Sequence, residues 1–193
     1  MQHASHRPLT TVTGCLLGVL LSGGLLLGTL AWAAGFKVLN ASTRLEQGVY
    51  LLDARLVYRF NQGPLDALQN GVPLTIELEL QVFRGREWLW DEAVARLRQR
   101  YRLEYHALSR QYVVTNLNSG ELNSFPDLAA ATDFCGRIHD FPLLDASLLR
   151  AGASYYGWLR ASLDLQALPV PLQAIAYLSA DWWLVSEWHT WRL

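Results

Sequence analysis

Four arginines alternate with other residues along one predicted strand and form what we call the arginine row: Arg96, Arg98, Arg100 and Arg102. Alternate side chains of a strand share one face, so neighbouring guanidinium groups lie about 7 Å apart and the row is about 20 Å long. Guanidinium forks match phosphate and carboxylate, so the row is suited to anionic headgroups, phosphorylated polysaccharide or an acidic partner. The alternative is that Glu77 and Glu79, on the polar face of an earlier strand, neutralise the row as cross-strand pairs.

Tryptophan is frequent in this chain, with 8 residues among 193. Exposed aromatic rings stack on sugars or hold the apolar groups of a partner, and they are common at interfaces. The alternative is that the rings form core and cross-strand pairs in a small β-rich domain. The candidates for an aromatic contact surface are Trp88, Trp90, Trp182 and Trp183. The last two are adjacent, so on a strand they face opposite sides and one is open to solvent.

No short motif for catalysis is present. The sequence lacks a Gly-x-Ser-x-Gly elbow, a glycine-rich phosphate loop and a Cys-x-x-Cys pair. His106, His139 and His189 lack the short spacing of a metal site. We therefore predict no catalytic, cofactor-binding or metal-binding residue and no cofactor, and we expect a non-enzymatic binding domain. The alternative is an envelope hydrolase with scattered catalytic groups, which a pocket joining His106 or His139 to a carboxylate and a hydroxyl would favour.

The beginning of the chain resembles an export signal. Arg7 precedes a stretch from Pro8 to Phe36 that contains no charged residue, and small residues occur near its end at Ala31 and Ala33. These are the parts of a secretory signal peptide over residues 1–33, which predicts a single extracytoplasmic domain in residues 34–193. The stretch also has the length, about 20 residues, of a transmembrane helix. A cleaved periplasmic form and a form anchored in the inner membrane therefore both stay open.

The composition limits the partners and the redox chemistry. The formal net charge is −1 at pH 7, so no bulk charge attracts the chain to nucleic acid, and we expect no nucleic-acid partner. Beyond residue 33 the sequence contains one cysteine, Cys135, so the exported part cannot form an intrachain disulfide. The apolar helical pattern around Cys135 predicts a buried thiol.

Apolar and polar residues alternate over several stretches, which predicts strands with one buried face. The predicted strands are 50–60, 74–83, 97–105, 112–117, a short one around Leu122, 155–165 and 182–191. Short helices are predicted at 64–71, from a start at 124–127, and at 172–178. We predict a β-dominated α+β fold with antiparallel, sandwich-like sheets and two or three short helices, preceded by an N-terminal apolar helix.

Four stretches carry a family resemblance: ALQNGVPL at 67–74, LEYHALSRQY at 103–112, LDLQALPVPL at 163–172 and WLVSEW at 183–188. In this order they resemble the proteobacterial family called domain of unknown function 4390. The resemblance implies an envelope protein with an export or anchor segment, and it supplies no catalytic residue. It also suggests a membrane-tethered accessory to a sensor system, because family members look like companions of sensor-kinase genes. As partners we expect an envelope protein or an anionic envelope component.

Overall fold

The computed structural model of the chain describes residues 35–86 and 92–193. The predicted N-terminal apolar helix lies outside these residues, and so do Trp88 and Trp90. Within the described ranges, no helix combines the length and the apolar character that a membrane span requires.

The described residues form nine β-strands and three α-helices, which confirms the predicted β-dominated class. The strands are β1 (Gly35–Glu46), β2 (Val49–Arg59), β3 (Leu74–Arg84), β4 (Glu92–His106), β5 (Gln111–Asn116), β6 (Leu122–Phe125), β7 (Arg137–Asp145), β8 (Tyr155–Leu163) and β9 (His189–Arg192). The helices are α1 (Gln62–Gln69), α2 (Leu128–Cys135) and α3 (Val170–Leu178). Three one-turn 3-10 helices follow β7, β8 and α3, at Ala146–Leu148, Leu165–Ala167 and Ala180–Trp182.

All pairs between these strands are antiparallel, and they build two sheets. The smaller sheet has the order β1-β2-β7, and the larger sheet has the order β6-β5-β4-β3-β8-β9. β3 lies inside the larger sheet, with β4 on one side and β8 on the other. The alternation of β3 places one face of the strand in the core: Leu74, Ile76, Leu78, Leu80 and Val82.

The two sheets share one hydrophobic core. Leu56 from the smaller sheet and Leu159 from the larger sheet belong to the same buried cluster, and α2 adds Ala131 and Cys135. The prediction of a buried Cys135 is confirmed. Burial raises the pKa of this thiol to about 12. The side chain is therefore a neutral thiol near pH 7 and a poor nucleophile.

The sequence patterns do not predict β1 and β7, and both strands contain interruptions. The pairing of β1 with β2 shifts between Val38 and Asn40. β7 contains Pro142, and its Asp140 has a positive φ of 54°. Bulges and prolines break the alternation by which a strand is recognised in sequence, so the residue pattern does not reveal these two strands.

Two predicted boundaries are wrong. Helix α2 begins after Asp127, whose carboxylate accepts a hydrogen bond of 2.7 Å from the backbone N–H of Ala130. Ser124 instead pairs with β5 as part of β6. The predicted final strand begins too early, because Trp182 ends a 3-10 helix and regular pairing starts only at His189.

Candidate functional site

The arginine row lies on the solvent-facing side of β4. All four arginines are exposed, whereas Leu103 and Gln99 on the other face are buried. In the register with β3, Arg98 is opposite Glu79 and Arg100 is opposite Glu77. The alternation predicted from sequence and the cross-strand placement of the two glutamates are both confirmed.

The two glutamates neutralise the row only in part. Glu79 turns to the next strand, where its Oε2 accepts hydrogen bonds of 2.5 and 3.1 Å from Nη2 and Nε of Arg160. The same guanidinium lies 4.4 Å from the ring centroid of Trp188, so Arg160 is held by a carboxylate and an aromatic face. Glu77 remains for the row, with its Oε1 3.7 Å from Nε of Arg98.

The other three members of the row have no ion pair within residues 35–86 and 92–193: Arg96, Arg100 and Arg102. Glu77, whose side chain is 15% exposed, is a single carboxylate beside several arginines of the row. Desolvation by burial raises the pKa of Glu77, although Arg98 and Arg100 act in the opposite direction. The outer face of β4 therefore presents more positive charge than its acidic neighbours balance.

A groove of about 550 Å³ lies next to the row. Its polar side includes Arg98, Arg100 and Glu77, and its aromatic side includes Tyr177 and Trp183. Trp183 is 59% exposed, and its indole N–H donates a hydrogen bond of 3.4 Å to the backbone oxygen of Tyr177. The groove thus combines guanidinium groups with an accessible aromatic ring.

Backbone hydrogen bonds to β8 hold the aromatic side in place. The N–H of Leu163 donates to the oxygen of Leu184, and the N–H of Ser186 donates to the oxygen of Ala161, both at 2.8 Å. This pairing extends the edge of the larger sheet and places Trp183 at the rim of the groove. The segment that carries Trp183 is therefore fixed by the sheet rather than carried on a free loop.

The four candidate tryptophans have different positions. Trp88 and Trp90 lie outside the described residues. Trp182 is 4% exposed, so its ring belongs to the core and presents little contact surface. Only Trp183 of the adjacent pair is open to solvent, as the prediction for neighbouring residues required, although the local structure is a 3-10 helix and its end rather than a strand.

A cluster that the sequence did not predict lies on the smaller sheet. His139 Nδ1 is 2.5 Å from Asp53 Oδ1, and His139 Nε2 is 3.1 Å from Asp140 Oδ2. Ligand atoms of these three residues lie within 4.8 Å of one another, which is a spacing that a metal ion can bridge. Both carboxylates also bind the guanidinium of Arg44, so the cluster is an ion-pair network as it stands. Asp53 is 86 positions from His139, and no local motif reveals such a pair.

An open depression of about 520 Å³ surrounds His106 and includes Glu104 and Ser109. The Ser109 hydroxyl donates to the backbone oxygen of His106 at 3.5 Å, not to the imidazole. In the described part of the chain, no side-chain hydrogen bond joins the ring to Glu104. The nucleophile and base contact that the hydrolase alternative requires is therefore not formed here.

The fold and the groove define an antiparallel β-rich protein with a cationic sheet face. The family model described as a domain of unknown function (DUF4390) matches residues 33–192. The chain belongs to this family, which confirms the resemblance found in the four sequence stretches. Comparisons with curated proteins and with solved structures gave no match.

Proposed function

We propose that the chain is an exported envelope protein that binds an anionic envelope component and catalyses no reaction. The arginine row carries this proposal, because its exposed guanidinium groups outnumber the carboxylates that face them. Exposed arginines bind phosphate and carboxylate through paired N–H groups, and a row of them gives geometric as well as electrostatic selectivity.

The placement of the row supports binding. β4 pairs with β3 along the whole row, whereas β5 pairs with Tyr101–His106, so Arg102 is the row member in the part of β4 that is paired on both sides. Asn118 adds hydrogen bonds to this scaffold, accepting from the N–H of Arg100 at 3.0 Å and donating to the oxygen of Arg98 at 2.8 Å. The backbone that carries the guanidinium groups is therefore fixed before a partner arrives, which lowers the entropic cost of binding.

Reversing the charge of the groove arginines is expected to abolish retention on envelope fractions. The double variant Arg98→Glu and Arg100→Glu should reduce the bound fraction about tenfold or more, because two attractive charges become repulsive. Co-sedimentation at low salt measures the effect, and added salt should weaken the binding of the parent protein by screening. The neutral variant Arg98→Gln and Arg100→Gln should give an intermediate loss.

The matched control is Lys37→Glu with Arg150→Glu, which changes the net charge equally at exposed positions outside the arginine row. This control should retain binding, because the proposal places recognition in the row and not in the total charge. Equal losses in both double variants would mean nonspecific attraction. Unchanged retention of the Arg98 and Arg100 variant at low salt would overturn the proposed function.

Export is the second part of the proposal, and it is supported by the uncharged stretch between Arg7 and Lys37. We expect the protein in the periplasmic or inner-membrane fraction of its cell. Mass spectrometry of the purified N-terminus should show a chain that begins at Ala34 for a free periplasmic domain, or at Met1 or Gln2 for an anchored one. The anchored form would fit the sensor-accessory alternative. A protein found only in the cytoplasmic fraction would contradict export.

A further inference from the structure

We propose that the groove binds an acidic glycan, a chain of sugars that carry carboxylate or phosphate groups. One sugar ring stacks on Trp183 with Tyr177 at its edge, and the negative substituent binds Arg98 and Arg100. This inference rests on the proposed function because it names the chemical class of the anionic component.

Of the charged side chains that line the polar side of the groove, Arg98 and Arg100 can receive an anion, whereas Glu77 and Asp164 repel one. Arg160 also lines the groove, but Glu79 already binds its guanidinium. The side chain of Arg98 is 69% exposed, and among the described residues its ion pair is the 3.7 Å contact with Glu77. Arg100 has no ion pair in the described ranges, so a carboxylate or phosphate supplied by a ligand would complete this wall.

The aromatic side of the groove, formed by Tyr177 and Trp183, favours a ligand that also contains a ring. Trp183 projects its indole into solvent although its neighbour Trp182 is buried, and the ring of Tyr177 lies 6.4 Å from it between centroids. The rings are inclined by 69°, so they form a corner and not a stacked pair. A flat ligand face can cover the indole while its edge meets the tyrosine, which suits the apolar face of a sugar ring.

The remaining lining favours a sugar over an acyl chain. Asp164, Gln166 and Ser162 line the same groove and offer hydrogen-bonding groups. An acyl chain would remove these groups and Glu77 from water without replacing their hydrogen bonds, which is costly. Sugar hydroxyls donate and accept hydrogen bonds, so they can satisfy the lining while the ring contacts the indole.

Calorimetric titration with defined hexasaccharides tests the inference. The probes are a hexamer of galacturonic acid, a phosphorylated mannohexaose and the neutral maltohexaose. We expect at least one acidic hexamer to bind, and the neutral one to bind about tenfold more weakly or not at all. The preferred acidic hexamer distinguishes carboxylate from phosphate recognition. Binding of neither acidic hexamer by a protein that still sediments with envelope fractions would overturn the inference and leave the proposed function standing.

Two pairs of variants locate the site. Trp183→Ala and Arg100→Glu should each weaken binding of the acidic hexamer about tenfold. The matched controls are Tyr156→Ala, an exposed ring outside the groove, and Arg150→Glu, an exposed arginine outside both the row and the groove. Both controls should stay within about twofold of the parent protein, and circular dichroism verifies that all four variants fold.

The pattern of losses separates the two proposals. A further variant, Arg96→Glu, changes a row member that does not line the groove. If it weakens binding as much as Arg100→Glu and Trp183→Ala has no effect, the row attracts anions but the groove is not a glycan site. If vesicles of phosphatidylglycerol, and not the hexamers, require Trp183, the ligand is a lipid and the glycan inference fails. A loss specific to Trp183→Ala and Arg100→Glu with an acidic hexamer supports it.

Discussion

Replacing Leu78 with alanine is expected to lower the free energy of unfolding by about 2–5 kcal/mol. Leu78 is fully buried near the middle of β3, and its strand is hydrogen-bonded on both sides. A strand held in this way moves little toward the space that a missing side chain leaves. The lost apolar contacts and the unfilled cavity therefore add together, and we expect a value in the upper half of the range.

Urea unfolding followed by tryptophan fluorescence measures this change. The control is Leu108→Ala, because Leu108 is fully exposed in the turn between β4 and β5. The same atoms are removed there without loss of core contacts, so stability should change by less than about 0.5 kcal/mol. Similar values for the two variants would mean that β3 does not form the centre of the core.

Replacing Gly136 with alanine is expected to destabilise the protein by about 3 kcal/mol, near the upper end of the range for overpacked sites. Gly136 follows α2 and accepts a hydrogen bond of 2.8 Å from the N–H of Leu56 in β2. A β-carbon on Gly136 would lie 2.3 Å from the backbone oxygen of Leu56. Its φ of −85° suits any residue, so the cost comes from the collision and not from backbone strain.

The control for this substitution is Gly85→Ala. A β-carbon at Gly85 meets the ring of Tyr156 at 3.0 Å, and that ring is part of an exposed side chain. A ring can shift, whereas the backbone of β2 is paired on both sides by β1 and β7. We expect Gly85→Ala to stay within about 0.5 kcal/mol of the parent protein. Equal thermal stability of Gly136→Ala and the parent would contradict the close approach of α2 to β2.

The alternation of apolar and polar residues predicted the strands that bury one face without interruption. β3 reads as apolar and polar in turn from Leu74 to Val82, and the structure buries every second residue. β7 also adds buried side chains to the core, from Ile138, Leu143 and Leu144. Pro142 and the positive φ of Asp140 interrupt its pattern. A pattern read along the sequence reports a strand only where the backbone keeps a constant register.

The candidate site was predictable in its parts and not in its assembly. The row follows from the spacing of the arginines on β4. Adjacency indicated that one of Trp182 and Trp183 is exposed, but it did not select Trp183, and the strand that it assumed is a 3-10 helix and its end. The groove requires that the chain after α3 returns beside β8, which brings Trp183 near Arg98 and Arg100. Likewise Glu79 pairs with Arg160 on β8 and not with the row. No spacing within β3 or β4 indicates this pairing.

The two walls of the groove come from distant parts of the chain, and this has a consequence for the order of folding. Arg98 lies on β4, which pairs with β3, and Trp183 lies in the segment that pairs with β8. The two walls meet only when β8 pairs with β3, which joins positions as far apart as Glu79 and Arg160. Contacts between remote segments form late because they close long loops. A ligand that needs both walls therefore binds only chains that have completed this last docking step. Binding then shifts the population toward the finished fold by mass action.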